Sequence, residues 1–357
     1  MKKLIIIFSL VLISSGFSNE ILIREQEKIL KHFDQLTADI GSYEKLIDKE
    51  CSDYPEGDLF PYTFPAIAYT LLEKEHSEKR ALALLKLAQK YTERVVNSPI
   101  LNLSDYRDMG TFLGQYNLAL SVYLTRYKNV DLQKQNDHLS KLLLKAFHDN
   151  NYAQIKSYPN LTWSFDSIPA LLSIKLNKSI PEKVKKDFIQ RHLKWSREKN
   201  LEPKTQLPYS VFSKTNPDPP RGCDLSFRLP LLFHLDKGYA RQLYKSYCQH
   251  FWKVAVFSGF REYQDETKSE DVDSGPIIFG LGATATAFSY PCFEVFEDTK
   301  KKNIYMAYLS TIPVMKSLVK ETGSSYSAEL NDKSYTGLYF GDCALFYNLT
   351  WHLLDKK

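Results

Sequence analysis

The chain has 357 residues, and 47 lysines and arginines against 42 aspartates and glutamates give it a formal net charge of +5. This small excess forms no basic tail or cluster, which excludes the charge pattern typical of nucleic-acid-binding proteins. The five cysteines form no CxxC pair and the eight histidines form no HExxH motif, so no metal site and no cofactor are predicted. An oxidising compartment would allow one or two disulfides and leave at least one cysteine over.

The first residues are typical of a secretory signal. Lys2 and Lys3 precede the almost unbroken apolar run Leu4–Ile13, and the small residues Gly16 and Ser18 suit cleavage after residue 18. The run is about half of the roughly 20 residues that a helix needs to cross a bilayer. We therefore predict a cleaved signal, with an uncleaved N-terminal anchor as the alternative.

Cleavage would remove residues 1–18 and leave residues 19–357 as the mature chain. Two lysines and no acidic residue leave with the signal, so the formal net charge falls from +5 to +3. No later stretch is long and apolar enough to span a membrane. The mature chain is predicted to be a single domain, periplasmic or secreted, with no stable membrane span and no nucleic-acid partner.

Apolar periodicity and helix-breaking residues predict about twelve helices in the mature chain. An apolar face that repeats every three or four residues marks each helix, and prolines, glycines and polar clusters mark its ends. The predicted helices cover residues 24–47, 63–74, 76–96, 108–128, 131–149, 165–176, 181–198, 223–235, 237–253, 276–290, 301–321 and 338–353.

Composition alternates along these helices. The segments at 131–149 and 181–198 carry one apolar stripe and one charged face, which is typical of a helix with one side in water. The segments at 166–176, 224–235, 276–290 and 338–353 are apolar nearly all round. Helices of the second kind must be covered on most sides, so we expect them to be inner helices wrapped by the charged ones.

The connections between helices alternate in length as well. The short connections lie near residues 75, 129–130, 177–180 and 236. The long connections cover residues 48–62, 97–107, 150–164, 199–222, 254–275 and 322–337. Short loops make antiparallel neighbours, so the long loops share one face and each enters an apolar helix. The sequence therefore predicts an all-α fold, an (α/α)6 toroid of six helical hairpins, although the connection at 291–300 is longer than this pattern predicts.

Polar residues that begin the apolar helices are candidates for a functional site, because helix N-termini face the predicted central mouth there. Asp166 opens the helix at 165–176 and is a candidate catalytic carboxyl, with a helix cap as the alternative. Trp163 is a platform for a sugar ring or an apolar ligand, or else a buried structural residue. Arg221 precedes the helix at 223–235 and is a candidate to bind a carboxylate in the mouth or to lie in solvent.

The loop at 259–280 gathers the largest set of charged residues. It holds Arg261, Glu262, Asp271 and Asp273 ahead of an apolar segment. Carboxylates confined together repel one another, so one retains its proton while another stays charged. Such a pair supplies a general acid and a general base. A calcium loop over 271–275 and a simple capping cluster are the alternatives, although the glycine falls one place early for an EF-hand.

Aromatic residues in or beside the long loops are candidates for substrate binding. They are Tyr62, Tyr106, Trp163, Tyr209, Tyr263 and Tyr335.

Asp342 lies inside an apolar helix and needs a partner, for which Arg221 and Arg261 are candidates. Further candidates of lower weight in the early loops are Tyr54, Phe60, Asp105, Arg107 and Asp108. Aromatic rings beside carboxylates in a concave site suit sugar rings or hydrophobic alcohols better than phosphates.

The second half of the chain presents a recognisable order of motifs. An apolar and a charged helix precede a proline-rich loop that ends PRGCDLSFRLPLLFHLD. The helix YARQLYKSYCQHFW and an arginine loop that runs into DVDSGPIIFGLGATATAF follow, before a tyrosine loop and a last helix that contains an aspartate. This succession resembles the linalool dehydratase-isomerase family and, more loosely, the six-hairpin glycosidases. The resemblance implies an (α/α)6 toroid with a site at its mouth.

The same resemblance implies a pair of cysteines near the helix at 165–176. Trp163 and Asp166 stand there in this sequence and no cysteine is nearby. A carboxyl in place of a thiol favours carboxylate acid/base chemistry, which would suit a glycosidic bond.

Three functions follow as hypotheses. The first is an exported enzyme that acts on a carbohydrate or another polyhydroxylated substrate. Asp166 would be paired with one of Asp271, Asp273 and Glu262 as acid and base, and Arg221 would orient the substrate or hold a carboxylate charged. The second is a lyase or isomerase of small hydrophobic alcohols. The third is a periplasmic binding or scaffold protein without catalysis.

Overall fold

The structure is a computed structural model that describes residues 15–51, 59–96, 108–159, 161–213, 215–254, 258–265, 268–312, 316–317 and 330–355. The apolar run of the predicted signal, Leu4–Ile13, lies outside the described residues. The same holds for the candidate residues Tyr54, Asp105, Tyr106 and Arg107. Helix α1 begins at Ser15 and passes through the predicted cleavage point, and the cleavage itself stays a prediction.

The described chain is mostly helical, which confirms the predicted all-α character. The helices are α1 Ser15–Leu36, α2 Ile40–Glu50, α3 Leu59–Leu72, α4 Ser77–Val96, α5 Gly110–Arg126, α6 Val130–Asp149, α7 Ser167–Leu176, α8 Glu182–Lys199, α9 Gly222–Leu235, α10 Lys237–Phe251, α11 Ala283–Ala287, α12 Tyr290–Val295, α13 Thr299–Leu309 and α14 Tyr339–Thr350. Short 3-10 helices cover Ser164–Asp166 and Trp351–Leu353. Two antiparallel hairpins pair β1 Trp252–Val254 with β2 Ser258–Phe260, and β3 Ile277–Ile278 with β4 Leu281–Gly282.

The apolar helices pack on one another in chain order. Helix α3 contacts α5, α5 contacts α7, and α7 contacts α9. Helix α9 contacts α11 and α12, which in turn contact α14, and α14 contacts α3. These helices are covered along most of their length; in α5, for example, every residue from Gly110 to Tyr123 is buried. An apolar surface on all sides of a helix is stable only when neighbours cover all sides, as they do here.

The amphipathic helices lie against the apolar ones through their single apolar stripe. Helices α4, α6, α8 and α10 each contact the apolar helix that precedes them, and α13 contacts α12. Helix α1 contacts α14, so the first and last helices of the described chain pack together. Side-chain caps begin several of these helices; Asn129 caps α6 and Asp236 caps α10 by accepting a backbone N–H.

Rings of phenylalanine fill the space between the apolar helices. Phe64 of α3 lies 5.4 Å from Phe227 of α9 and stacks on Tyr347 of α14 at 4.7 Å between ring centroids. Phe227 also contacts Phe288 at 5.0 Å and stacks on Phe165 at 4.6 Å. Because these rings come from helices distant in sequence, they join the apolar helices through one continuous aromatic core.

The predicted helix at 276–290 is wrong. The chain forms the β3–β4 hairpin there, and helix begins only at Ala283. Phe279 and Gly280 form the two-residue turn with φ values of +54° and +76°, which an α-helix does not accept. A short apolar run such as the one that contains Ile277 and Ile278 occurs both in buried strands and in buried helices. Apolar periodicity alone therefore does not distinguish a strand from a helix here.

Two other predicted helices differ from the structure at a break. The segment predicted at 24–47 forms two helices, because Asp39 accepts the N–H of Gly41 and starts α2 anew. The segment predicted at 237–253 ends as helix at Phe251 and continues as strand β1. Within the described chain, no helix combines the length and the apolar character needed to span a membrane.

Candidate functional site

One buried guanidinium gathers three carboxylates beside helix α9. Arg221 contacts Glu262 through Nε at 2.7 Å, Asp271 through Nη2 at 2.8 Å and Asp273 through Nη1 at 3.4 Å. We call these four residues the Arg221 cluster. The side chains of Arg221 and Glu262 are 9% and 0% exposed, whereas those of Asp271 and Asp273 are 42% and 49% exposed. Arg221 and Glu262 therefore form the buried part of the cluster, and Asp271 and Asp273 form its solvent-exposed edge. The cluster carries two more negative charges than positive ones when all its carboxyls are ionised.

Glycine at position 222 makes this close assembly possible. The backbone N–H of Gly222 donates to the carbonyl oxygen of Glu262 at 2.8 Å, which holds the start of α9 against the loop that follows β2. A Cβ built on Gly222 would lie 2.0 Å from the carbonyl oxygen of Arg261. No side chain fits that gap, so any other residue at 222 would push Glu262 away from Arg221.

A tight turn presents the two half-exposed carboxylates. Ser274 donates its backbone N–H to Oδ1 of Asp271 at 2.9 Å, and the backbone N–H of Asp271 donates to Oγ of Ser274 at 2.8 Å. This reciprocal pair is the local turn chemistry expected of Asp and Ser. It places Asp271 and Asp273 on the same side of the loop, toward Arg221.

Two aromatic rings border the cluster. Tyr263 donates its hydroxyl to Oδ2 of Asp271 at 2.7 Å, and its ring centroid lies 5.1 Å from Cζ of Arg221. The ring of Trp163 lies 5.9 Å from the same atom and is held by a backbone bridge to Val211. The Trp163, Arg221 and Tyr263 candidates are therefore brought together, with both rings near the guanidinium that holds the carboxylates.

The carboxyl groups of the cluster differ in pKa. Burial alone would raise the pKa of Asp271, but hydrogen bonds from Tyr263 and Ser274 and the charge of Arg221 bring it below its usual value. Burial raises the pKa of Asp273, and Arg221 offsets this only in part while the charge of Asp271 adds to it. Burial likewise raises the pKa of Glu262 against the opposing charge of Arg221. A charged and a more readily protonated carboxyl therefore share one guanidinium.

Sequence reasoning missed Cys223 as a member of this site. Its thiol donates to Oε1 of Glu262 at 2.9 Å and its backbone N–H donates to Oε2 at 2.9 Å. Burial and the negative charge of Glu262 raise the pKa of the thiol well above its usual value, so it stays protonated at neutral pH. Its position two residues after Arg221, in the first turn of α9, was the only signal in the sequence.

Asp166 is buried and belongs to a different group. Its Oδ2 accepts a hydrogen bond from Thr111 at 2.6 Å, and within the described chain its side chain makes no capping bond to α7, so the helix-cap alternative is wrong. Burial raises the pKa of Asp166 to about 6, hydrogen bonds from Ser157 and Thr111 oppose that shift, and the nearby charge of Asp224 adds to it. Among the described residues, none of its hydrogen bonds joins it to the Arg221 cluster. A carboxyl with a pKa near neutrality can hold or release a proton at physiological pH.

Asp224 forms a buried ion pair within helix α9. Both of its oxygens accept from Arg228, through Nε and Nη2, each at 2.7 Å. The four-residue spacing places the pair on one face of α9, and this spacing was available in the sequence. The pair lies close enough to Asp166 for both charges to act on the pKa of Asp166.

Asp342 and Tyr335 lie in a separate network. Asp342 is fully buried and contacts His32 of α1 at 2.9 Å, so the expected pairing with Arg221 or Arg261 is wrong. Tyr335 donates its hydroxyl to Glu25 of α1. The tyrosine is thus tied to the packing of α1 on α14, not to the Arg221 cluster.

Two further candidates contribute through packing. Tyr62 is 2% exposed and lies edge-on to Tyr43 and Tyr91, at 6.2 and 6.4 Å between centroids. The backbone N–H of Arg261 donates to the carbonyl oxygen of Phe251, which aligns the loop with the end of α10.

The calcium alternative for the loop at 271–275 finds no geometry to support it. Asp271 and Asp273 both turn to Arg221, and the described residues contain no group of three or more His, Cys, Asp or Glu side chains arranged to hold a metal ion. The described site is thus an Arg-centred carboxylate cluster with an aromatic border and a separate buried acid. No protein-family model matches the chain, and no curated protein matches its sequence at a significant level.

Proposed function

We propose that the apolar helices form the inner ring of an (α/α)6 toroid and that the charged helices surround it. The support is the closed order of contacts, in which α3, α5, α7 and α9 follow one another and α14 returns to α3. Helices α3, α5, α7, α9 and α12 also pack on the charged helix that follows each of them in the chain, and α14 packs on α1. This arrangement agrees with the distant resemblance to the six-hairpin superfamily.

We further propose that the protein is exported. The support is the N-terminal pattern of two lysines, an apolar run and small residues at 1–18. Mass spectrometry of the protein recovered outside the cytoplasm should give a mature chain that begins at Asn19. Recovery of the uncut chain from the membrane fraction would favour the anchor alternative.

We propose that the protein is an enzyme that acts on a carbohydrate or another polyhydroxylated substrate by carboxylate acid/base chemistry. One observation carries this proposal: Asp271 and Asp273 share the guanidinium of Arg221, yet their pKa values shift in opposite directions. The pair supplies a charged base and a proton donor from one residue type. The rings of Trp163 and Tyr263 beside them are suited to the face of a sugar.

The roles of the residues follow from their partners. Asp271, held charged by Arg221 and Tyr263, is the base or nucleophile. Asp166 and Asp273 have raised pKa values and are the two candidates for the proton donor. Each nitrogen group of Arg221 already contacts a carboxylate, which favours its holding a carboxylate charged over its orienting a substrate.

The separation of the carboxyl groups favours one stereochemical class. Asp271 and Asp273 contact the two terminal nitrogens of one guanidinium, which keeps their oxygens near each other. Retaining glycosidases hold their two carboxyl groups roughly 5–5.5 Å apart, and inverting ones roughly 6.5–9.5 Å apart. The shared guanidinium is better suited to the shorter spacing, so we expect retention at the anomeric carbon if these two residues are the pair.

The proposal is tested by assaying the mature chain against a panel of glycans, with release of reducing ends as the readout. If Asp273 is the proton donor, Asp271→Asn and Asp273→Asn should each lower kcat about a hundredfold or more, because acid/base groups contribute about 10²–10⁴. Asp131→Asn, on the exposed face of α6, is the matched control and should retain full activity. Wild-type turnover that survives replacement of both residues would contradict the proposal.

The pH profile separates the two candidate donors. If Asp166 donates the proton, activity should fall as the pH rises through about 6, where its carboxyl ionises. Asp166→Asn should then abolish most of the activity, and Asp273→Asn should leave the position of that limb unchanged. A limb that persists in Asp166→Asn assigns the donor to Asp273.

A second candidate function has a specific observation in its favour. The phenylalanines between the apolar helices, with Phe165, Phe227 and Phe288 in contact, give the interior an apolar character. An apolar interior suits a small hydrophobic alcohol, with Asp166 as the acid that protonates its hydroxyl. Conversion of terpenoid alcohols by the mature chain, with no activity on glycans, would favour this lyase or isomerase. Binding without turnover in either panel would favour the non-catalytic alternative.

A further inference from the structure

Helices α8 and α10 carry the excess positive charge of the chain. Helix α8 contains seven lysines and arginines and three acidic residues, and α10 contains three lysines and arginines and no acidic residue. Their joint formal charge is therefore +7, whereas the predicted mature chain has +3, so all its other residues together carry −4. Residues 200–236 separate the two helices, which is why this charge forms no basic cluster along the sequence.

The cations of each helix share one exposed face. In α10, Lys237, Arg241 and Lys245 follow one another at four-residue spacing and are all exposed. In α8 the exposed cations whose spacing places them on one face are Lys183, Lys186, Lys194 and Arg197. Each helix therefore presents a basic stripe to solvent, away from the apolar stripe that packs on the inner helices.

The two stripes adjoin where α8 ends and α10 begins. Arg197, at the end of the α8 stripe, contacts Asp236 at 2.5 Å, and Asp236 directly precedes Lys237. The guanidinium of Arg197 also lies 4.3 Å from the ring centroid of Tyr239 in α10. We call the two joined stripes the basic face.

Carboxylates neutralise less of this charge than they do on the other charged helices. In α4 and α13 several cations pair with carboxylates beside them; these pairs are Lys90–Glu44, Arg94–Asp48, Lys301–Asp298 and Lys302–Glu294. On the basic face, Arg197 pairs with Asp236, and Lys194 lies 3.9 Å from Glu198. Within the described part of the chain, the other cations of the face have no carboxylate within 4.0 Å; they are Lys183, Lys186, Lys237, Arg241 and Lys245. Unpaired like charges side by side repel one another, so an anionic partner would stabilise this surface.

We propose that the basic face docks the exported protein on a membrane surface that contains anionic lipid headgroups. This inference rests on the proposed export and is independent of the proposed reaction. Clusters of lysine and arginine bind such surfaces by charge alone. None of the large exposed hydrophobics among the described residues lies in α8 or α10, so the contact is electrostatic and inserts no apolar side chain.

A membrane suits the shape of the basic face better than a nucleic acid does. The cations follow the outside of two helices, over roughly 24 Å of α8, and do not line a groove that could track a single strand. The described part of the face also lacks an exposed aromatic ring on which a base could stack.

The test measures binding of the purified mature chain to sedimented vesicles. One set of vesicles mixes phosphatidylglycerol with phosphatidylcholine, and the other contains phosphatidylcholine alone. The variant Lys237→Gln/Arg241→Gln/Lys245→Gln removes the α10 stripe and retains residues that favour a helix. We expect the wild type to bind only the vesicles with phosphatidylglycerol, high salt to release it, and the variant to bind about tenfold more weakly or less.

The matched control removes the same charge from another outer helix. Lys134→Gln/Lys141→Gln/Lys145→Gln changes α6, in which three acidic residues balance the three lysines. This control should bind vesicles as the wild type does, and circular dichroism of both variants checks that they are folded.

Four results would each overturn the docking surface. They are a wild type that does not bind vesicles with phosphatidylglycerol, equal binding to phosphatidylcholine alone, an equal loss in the α6 control, and binding of a DNA duplex in place of vesicles. The last result would assign the basic face to a nucleic acid. The proposed export and the proposed reaction would stand in each case, because the mass of the mature chain and the glycan assays decide them separately.

Discussion

The Arg221 cluster and the surroundings of Asp342 both place carboxylates at the start of an apolar helix, yet they are built in opposite ways. Asp342 is fully buried, and its two oxygens accept from Ser334, Tyr335, Thr336 and His32 at 2.7 to 3.0 Å. Several hydrogen-bond donors therefore surround this single carboxylate. In the Arg221 cluster three carboxylates compete for one guanidinium, and Asp271 and Asp273 are about half exposed.

This difference separates a structural carboxylate from one that is available for chemistry. A buried carboxylate with every lone pair occupied is stable in one geometry. An excess of carboxylates at a solvent edge leaves oxygens that a ligand or a proton can reach, and mutual repulsion spreads their pKa values. The same residue type therefore fastens α1 to α14 in one place and forms a candidate site in the other.

The largest expected effect comes from replacing the structural carboxylate. Asp342→Asn should lower the free energy of unfolding by about 3–4 kcal/mol, because the amide nitrogen would face backbone N–H donors in a buried site. Asp271→Asn, with a half-exposed side chain, should cost less than about 1 kcal/mol. Urea unfolding followed by circular dichroism at pH 7 measures both. Equal losses for the two variants would break the comparison.

The backbone under the Arg221 cluster should be the next most sensitive point. Gly222→Ala should cost about 2–3 kcal/mol, because its Cβ would meet the Arg261 carbonyl oxygen at 2.0 Å and force the backbones apart. Gly238→Ala is the matched control, since its Cβ would lie 3.4 Å from the nearest atom, an oxygen of the Asp236 side chain, within helix α10. That control should be neutral or stabilise the helix by about 0.5 kcal/mol. A Gly222→Ala variant as stable as wild type would contradict the close approach.

Asp166 should make the stability depend on pH. Its pKa is raised to about 6 from an ordinary value of 3.8, so the carboxyl is neutral in both the folded and the unfolded chain below about pH 4, where stability is full. Between about pH 4 and 6 the carboxyl is ionised in the unfolded chain but still largely protonated in the folded chain. This difference removes on the order of 2 kcal/mol of stability by the time the pH passes about 6. Asp166→Asn should lack this loss between pH 4 and 7 in thermal unfolding scans. A wild type whose stability rises over that range by the same amount as the variant would contradict the assignment.

The smallest expected effect sharpens the role of Cys223. Cys223→Ala loses the bond from the thiol to Glu262 and should cost about 1 kcal/mol. Cys223→Ser retains a donor at that position and should cost less than about half as much. Urea unfolding of the two variants measures the difference, and a serine variant as unstable as the alanine variant would argue against a hydrogen-bonding role.

Part of the candidate site could be predicted from sequence because its residues are local. Glu262, Asp271 and Asp273 stand in one loop, and Arg221 stands at the start of an apolar helix, so composition and position were enough to select them. The pairing of Asp342 was out of reach, since His32 is 310 residues away in the chain. The hydrogen bond of Asp166 to Thr111, across 55 residues, was equally hidden.

The amino-acid sequence by itself determined which helices are apolar and which are amphipathic, because periodicity and composition act locally and every helix must satisfy them. It also determined the acidic loop and the aromatic residues near it. Only the tertiary structure decided which carboxylate meets which partner and whether Ile277 and Ile278 enter a strand or a helix. Those outcomes depend on contacts between distant segments, and burial and neighbouring charge then decide the state of each acid.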